Sequence, residues 1–274
     1  MTQPASREAL AALRERLDAV TGRFSTVDGR TAFANELYAV SELLDGQPRL
    51  RRSVADPTTP PDARAGIAER LLTGKIGASA LQVVKEAVSL RWSSPWDLVD
   101  GLEQIADDAL LSAAEEAGSL DDVEDELFRF ERVLESDSRL TTLLDDPSEP
   151  AARRIGLLDS LVSAKVSPIT AELLRHAVSS KRRYGVERSI DALLDRAAAR
   201  RNRSIARVVS AIELTAQQQS SLAAKLSDIY GRSVSVRTAI DPTVQGGLVI
   251  RVGDELIDGS VASQLAAARA ALAN

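Results

Sequence analysis

Few residues in this 274-residue chain are equipped for chemistry. His176 is its single histidine, the side-chain type whose charge changes nearest neutral pH, and it tempts as a proton-transfer base. The sequence fixes no second polar group beside it, so a helix-surface or groove histidine is the preferred reading. Gly246, Gly247 and Gly253 could cradle a phosphate. They lack the spacing and the following Lys-Ser/Thr of a P-loop, and the Gly246-Gly247 pair precedes a strand pattern, whereas a phosphate loop opens a helix. Turn geometry accounts for them better. With no cysteine at all, neither a disulfide frame nor a thiolate metal site can form. We therefore expect no catalytic residue, no metal and no cofactor.

Charge clusters are the next candidates. Lys181, Arg182 and Arg183, with Arg200, Arg201 and Arg203, could form a nucleic-acid patch. The formal net charge of -6 and an aromatic content of 3% oppose it, because such surfaces need basic potential and stacking rings. A solvated helix end is preferred, with an electrostatic contact to a partner subunit second. The acidic run Glu115, Glu116, Asp121, Asp122, Glu124, Asp125 and Glu126 reads as a solvated face near a helix start, where carboxylates suit the macrodipole. Trp92 and Trp96, the only tryptophans, read as core, with an interface anchor as the alternative. No run of eighteen apolar residues occurs and the N-terminus lacks a signal-peptide core, so a cytoplasmic chain that does not span a membrane is expected.

The elements that must position these residues are mostly helical. Low aromatic content with abundant Leu, Ala and Val favours helix-on-helix packing, and the length suggests two or three domains. Shifted by 90 residues, the chain matches itself without a gap. Fifteen identical pairs join residues 36–89 to residues 126–179, among them Glu36 with Glu126, Arg64 with Arg154, and Asp56-Pro57 with Asp146-Pro147. A period this long is a duplicated domain, not a solenoid. Each copy carries three- and four-residue apolar steps, such as Val123, Leu127, Phe130, Val133 and Leu134. The Asp-Pro pairs must interrupt helix, so each copy reads as a bundle of about five or six short antiparallel helices.

After the second copy the period changes. Ile205, Val208 and Val209 read as a strand, and Thr215 with Gln218 offers a capping box. It opens a helix expected to bury Leu222, Leu226 and Ile229. Val234 to Ile240 alternate as a second strand. Leu248, Ile250 and Val252, then Glu255 to Ile257, form a hairpin around Gly253-Asp254. Asp258-Gly259-Ser260 leads to a last helix carrying Val261, Leu265, Ala268 and Leu272. The fold class expected is mostly α: two duplicated antiparallel helical bundles followed by a small α/β domain, β-α-β-β-β-α. Expected boundaries are 1–105, 106–203 and 204–274.

This last stretch, through Gly246-Gly247, Ile250-Arg251-Val252-Gly253-Asp254 and Ile257-Asp258-Gly259-Ser260, resembles the C-terminal domain of the delta subunit of F-type ATP synthases, the oligomycin-sensitivity-conferring protein family. The resemblance covers about Ala106 to Asn274, and the first copy is then an extra bundle, as in actinobacterial forms. It implies a non-catalytic stator subunit joining the catalytic head to the peripheral stalk and resisting rotor torque. Its implied partners are alpha subunits of the head and b-type stalk subunits, with no nucleic acid and membrane contact only through the complex, at the cytoplasmic face. An alpha N-terminal helix is implied to lie between the first and fifth helices of the family-typical bundle. Those positions are Leu110, Ala113, Ala114, Ile169, Leu173 and Ala177, for which bundle core is the preferred reading position by position. Gly246, Gly247, Gly253, Asp254 and Gly259 are expected as structural turn residues. The alternative is a free-standing helical adaptor or regulatory scaffold unrelated to ATP synthesis.

Overall fold

In a computed structural model, the residues described are 3–21, 24, 26–163, 165–179, 185–200, 203–212, 214–230, 233–241, 244, 246–252 and 255–259. The chain is mostly helical with one small sheet near its C-terminal end. In order come α1 (Pro4–Thr21), α2 (Val27–Gly46), α3 (Pro48–Ala55), α4 (Pro61–Leu72), α5 (Ala78–Ser89) and α6 (Pro95–Glu116). They are followed by α7 (Leu120–Ser136), α8 (Ser138–Asp145), α9 (Ala151–Val162), α10 (Pro168–Ser179) and α11 (Gly185–Arg200). The last part holds β1 (Arg203–Ser210), α12 (Ala216–Tyr230), β2 (Ser233–Ile240), β3 (Leu248–Val252) and β4 (Glu255–Asp258). The expected terminal helix and Gly253-Asp254 lie outside the described residues.

Contacts group the chain into two compact units, Met1–Glu126 with Thr142–Val186, and Leu127–Thr141 with Glu187–Asn274. In the first unit α6 is the central helix. Leu98, Leu102, Ile105, Ala109 and Leu110 are fully buried along it, as are Leu111, Ala113 and Ala114. Acidic residues punctuate α6, yet most of its length is buried, because α1, α2, α3, α5 and α10 all pack on it. Its start is set by sequence: Ser94 accepts a hydrogen bond from the Asp97 amide, and Pro95 occupies the first turn, where a missing N–H is no loss. The expected boundary after residue 105 falls within α6, which runs on unbroken from the first copy into the second.

In the second unit the sheet order is β2-β1-β3-β4, with β1 and β2 parallel and the other pairs antiparallel. Parallel neighbours need a crossover, and α12 supplies it. Ala206, Val208, Leu226, Val234, Ile250 and Val252 form the core of this part. The capping box forms: Thr215 N–H donates to Gln218 Oε1 at 2.9 Å and Gln218 N–H to Thr215 Oγ1 at 3.3 Å. Ile229 corrects the expected apolar face of α12, since it is 71% exposed while Leu226 is buried. Val133 is likewise exposed at 45% despite its helical spacing.

Candidate functional site

The duplication is most visible in buried polar contacts within the first unit. Arg64, at 3% exposure, donates to the Leu90 and Ser89 carbonyls at 2.9 and 3.1 Å. Arg154, at 4%, donates to the Val178 and Ser179 carbonyls at 2.7 and 3.4 Å and to Leu144 O at 3.1 Å. Each guanidinium thus satisfies carbonyls left open at the C-terminal end of a helix, α5 or α10. At the opposite ends, Glu36 accepts from the Gly77 amide at 2.9 Å and Glu126 from the Ser167 amide at 2.9 Å. The ion pair of Lys85 with Glu69 at 2.8 Å returns as Arg175 with Asp159 at 2.9 Å. Both residue types have changed there and the pair has survived.

The six groove positions divide between two packed helices. Leu110, Ala113 and Ala114 lie on α6 and are fully buried; Ile169 and Leu173 lie on α10 and are buried at 8% and 0%. Ala177, also on α10, is partly exposed. Nearby, α2 packs along α6 and reaches α10 through Tyr38 and Asn35, which meet His176. Tyr38 stacks on His176 with ring centroids 3.4 Å apart, and its hydroxyl donates to the buried carboxylate of Asp107.

His176 therefore sits in a packed polar cluster. Its Nε2 faces Asn35 Oδ1 at 3.3 Å and Glu172 Oε1 at 3.5 Å; two acceptors on one nitrogen place the proton there. The hydrogen bond from His176 holds the Glu172 carboxyl below the usual glutamate range, with burial opposing and Arg175 assisting. Sequence reasoning placed His176 on a helix surface or in a groove but missed Tyr38 and Asp107. The helical spacing of Asn35 and Tyr38 on one face of α2 was the available signal.

Two further expectations change. Glu124, read as part of a solvated acidic face, is fully buried, whereas Glu126 of the same run caps α10. Trp92 is core: its indole N–H donates to Ala87 O at 2.7 Å. Trp96 is 38% exposed and carries the Arg51 guanidinium 3.5 Å above its ring, a cation–π contact.

Among the expected turn residues, Gly246 and Gly247 have φ of 75° and 81°, backbone that glycine adopts without steric cost. Gly259 N–H donates to Leu248 O at 2.9 Å, and a Cβ there would stand 3.1 Å from that oxygen. Gly253 and Asp254, like Lys181, Arg182, Arg183 and Arg201, lie outside the described residues. Among the described residues no cluster of three or more His, Asp or Glu is arranged to hold a metal, and no helix is long and apolar enough to cross a membrane. The first unit also contains an open groove of about 510 Å³ between α1, α4 and α5.

Comparison with known proteins gives a consistent result. Residues 107–272 match the family described as ATP synthase delta (OSCP) subunit. A chain of Parafrankia sp. (strain EAN1pec) named ATP synthase subunit delta is 43% identical over 274 residues, covering 98% of each chain. A chain of the same name from Streptomyces griseus is 44% identical over 261 residues, covering 95% of this chain and 96% of that one. A Mycobacterium sp. (strain KMS) chain named ATP synthase subunit b-delta is 43% identical over 267 residues, which are 97% of this chain but 60% of that one.

Proposed function

The chain belongs to the ATP synthase delta (OSCP) family, and from that premise we propose that it is a non-catalytic stator subunit joining the catalytic head of an F-type ATP synthase to its peripheral stalk. The observation that carries the reading is the near full-length match to chains named ATP synthase subunit delta. It extends through the extra first copy as well as residues 107–272. A stalk partner of b type is supported by the Mycobacterium relative, whose name joins b and delta in one chain. The same reading puts the chain at the cytoplasmic face of the membrane, attached through the complex.

A stator must resist torque, and stiffness in a helical protein comes from close packing and satisfied buried polar groups. The central α6, the paired arginine clamps and the two glutamate caps supply both. The division near residues 105 and 203 is proposed as one of ancestry, two copies and a C-terminal domain, with α6 continuous between the copies. Alpha subunits of the head are the proposed second partner. Leu110, Ala113, Ala114, Ile169 and Leu173 are buried, so a helix binding there must displace packing within the bundle, whereas Ala177 is partly exposed at the margin.

Inverted membrane vesicles depleted of this chain test the proposal. ATP hydrolysis by the head should persist while ATP-driven proton uptake falls, and adding the purified chain should restore uptake. Full proton uptake in depleted vesicles would exclude a stator role and favour the free-standing adaptor.

A further inference from the structure

We propose that the free edge of β2 is a docking site for an extended, acidic segment of another subunit, which joins the four-stranded sheet beside β2. The inference rests on the reading of this chain as a subunit of a larger assembly. In the order β2-β1-β3-β4, β2 is an edge, and it is the longer of the two, with 8 residues against 4 in β4. Natural sheets blunt such edges with Lys, Pro or a bulge. Ser233–Ile240 contains neither residue, and its register with β1 is unbroken. That is the form of edge to which a partner strand adds.

Backbone parity identifies the open groups. The Asp241 amide donates to Ser210 O on β1 at 2.9 Å, and successive residues of a strand turn their N–H and C=O groups to opposite sides. Arg237 and Ala239 therefore bond β1, while Val234, Val236, Thr238 and Ile240 face outward. Ser227 Oγ of α12 takes the Val234 amide at 2.9 Å. Among the described residues nothing takes the amides of Val236, Thr238 or Ile240, and Ile240 is 49% exposed. An added strand supplies the acceptors and donors these groups lack.

Charge chooses the occupant. Arg251 of β3, Arg207 of β1 and Arg237 of β2 are register partners in one row across the sheet. Leu256 of β4 completes the row, so no acid stands in it. Strand alternation puts this row on the face opposite the core position Ala206 and its register partners Val236 and Val252. Like charges set opposite one another destabilise a sheet, whereas opposite charges stabilise it. The row ends at the open edge, and its next rung is the residue that an added strand places beside Arg237. Asp or Glu there offsets the accumulated positive charge. Two copies of this chain joined edge to edge at β2 would instead bring two arginine rows to one seam.

Amide hydrogen exchange read at single residues tests this on the full chain, free and assembled with ATP synthase purified from the same organism without its own copy of this subunit. In the free chain Val236, Thr238 and Ile240 should exchange roughly tenfold or more faster than Arg237 and Ala239, and assembly should slow those three by a similar factor. Thr238→Pro deletes one outward N–H and none that bonds β1; Arg237→Glu sets an acid against the partner's acid. Each should return Val236 and Ile240 to within about twofold of their free rates, while Arg237→Lys keeps them protected. Ile240→Cys supplies the only thiol of a chain without cysteine. Carrying a benzophenone maleimide, it should crosslink to a segment of another subunit that contains Asp or Glu. Equal exchange of the three amides in the free and assembled chain would overturn the edge and leave the stator reading standing, as would crosslinks to a second copy of this chain or to its own residues 260–274. Protection indifferent to Arg237→Glu would overturn the acidic occupant. Failure to assemble at all would sink both.

Discussion

The rings of Tyr38 and His176 stand 3.4 Å apart with planes 16° from parallel, joining α2 of the first copy to α10 of the second. Tyr38 is 5% exposed and its hydroxyl donates to Asp107 on α6, so one side chain of α2 reaches two other helices. The Tyr38→Ala truncation should cost about 3–5 kcal/mol, the range for deleting a buried aromatic. Tyr38→Phe keeps the stack and removes only the hydrogen bond to Asp107, at about 1–3 kcal/mol. Urea unfolding of the full chain orders the three proteins, and a Tyr38→Ala midpoint equal to wild type would remove this contact from the account of the fold.

Arg154 should behave as a structural clamp whose geometry matters more than its charge. Arg154→Met keeps the aliphatic stem but leaves the Leu144 and Val178 carbonyls without a donor, a cost of about 1–3 kcal/mol for each group that water cannot reach. Arg154→Lys should fall between, because an ammonium cannot fork across several carbonyls as a guanidinium does. Arg64→Met should lose a similar amount, since it holds the matching carbonyls in the first copy. Thermal melts in which Arg154→Lys matches wild type would show that charge alone suffices.

These clamps explain what could and could not be read before folding. Arg64 and Arg154 stood out as identical pairs, and Asp56-Pro57 with Asp146-Pro147 marked the breaks, because local backbone chemistry and duplication both leave marks in one dimension. The capping box at Thr215 was legible for the same reason. The Tyr38 to His176 contact was not, since nothing local to either residue names a partner so distant in sequence. Glu124 misled because six acidic neighbours make it look solvated, although it is buried beside Val123 and Leu127 on α7 while Asp121, Asp122 and Asp125 are exposed. Ile229 misled because three residues at helical spacing need not all lie on the buried arc: Leu226 is in the sheet core and Leu222 packs against it, while Ile229 faces out.

Gly101 and Gly156 both sit inside helices, and alanine should move stability in opposite directions at the two. Replacing a mid-helix glycine usually gains about 0.5–1 kcal/mol. At Gly156 an added Cβ meets nothing within 4 Å, so that gain should appear in full. At Gly101 the same atom would come within 2.8 Å of Trp92 Cζ3. The Trp92 ring is itself held by its bond to Ala87 O, so overpacking of about 1–3 kcal/mol should outweigh the propensity. A Gly101→Ala protein more stable than wild type in calorimetry would mean the tryptophan yields without cost.

Asp146 offers a test of the turn chemistry through pH. The Ser148 hydroxyl donates to its carboxylate at 2.6 Å and the Ser148 amide at 2.8 Å. These bonds, the hydroxyl first, hold its pKa below the ordinary aspartate value, with Arg154 a lesser contributor. A folded-state pKa below the unfolded one means the unfolded chain binds the proton more readily. The stabilisation is therefore fully present above the ordinary aspartate value and is lost as pH falls through the depressed one. Asp56, bonded by Thr58 in the same way, should titrate alike. Carboxyl carbon NMR of the full chain should show both midpoints low, and Ser148→Ala should raise that of Asp146 toward the ordinary value while leaving Asp56 in place. An Asp146 midpoint indifferent to Ser148→Ala would assign the shift to the backbone amide and Arg154 instead of the hydroxyl.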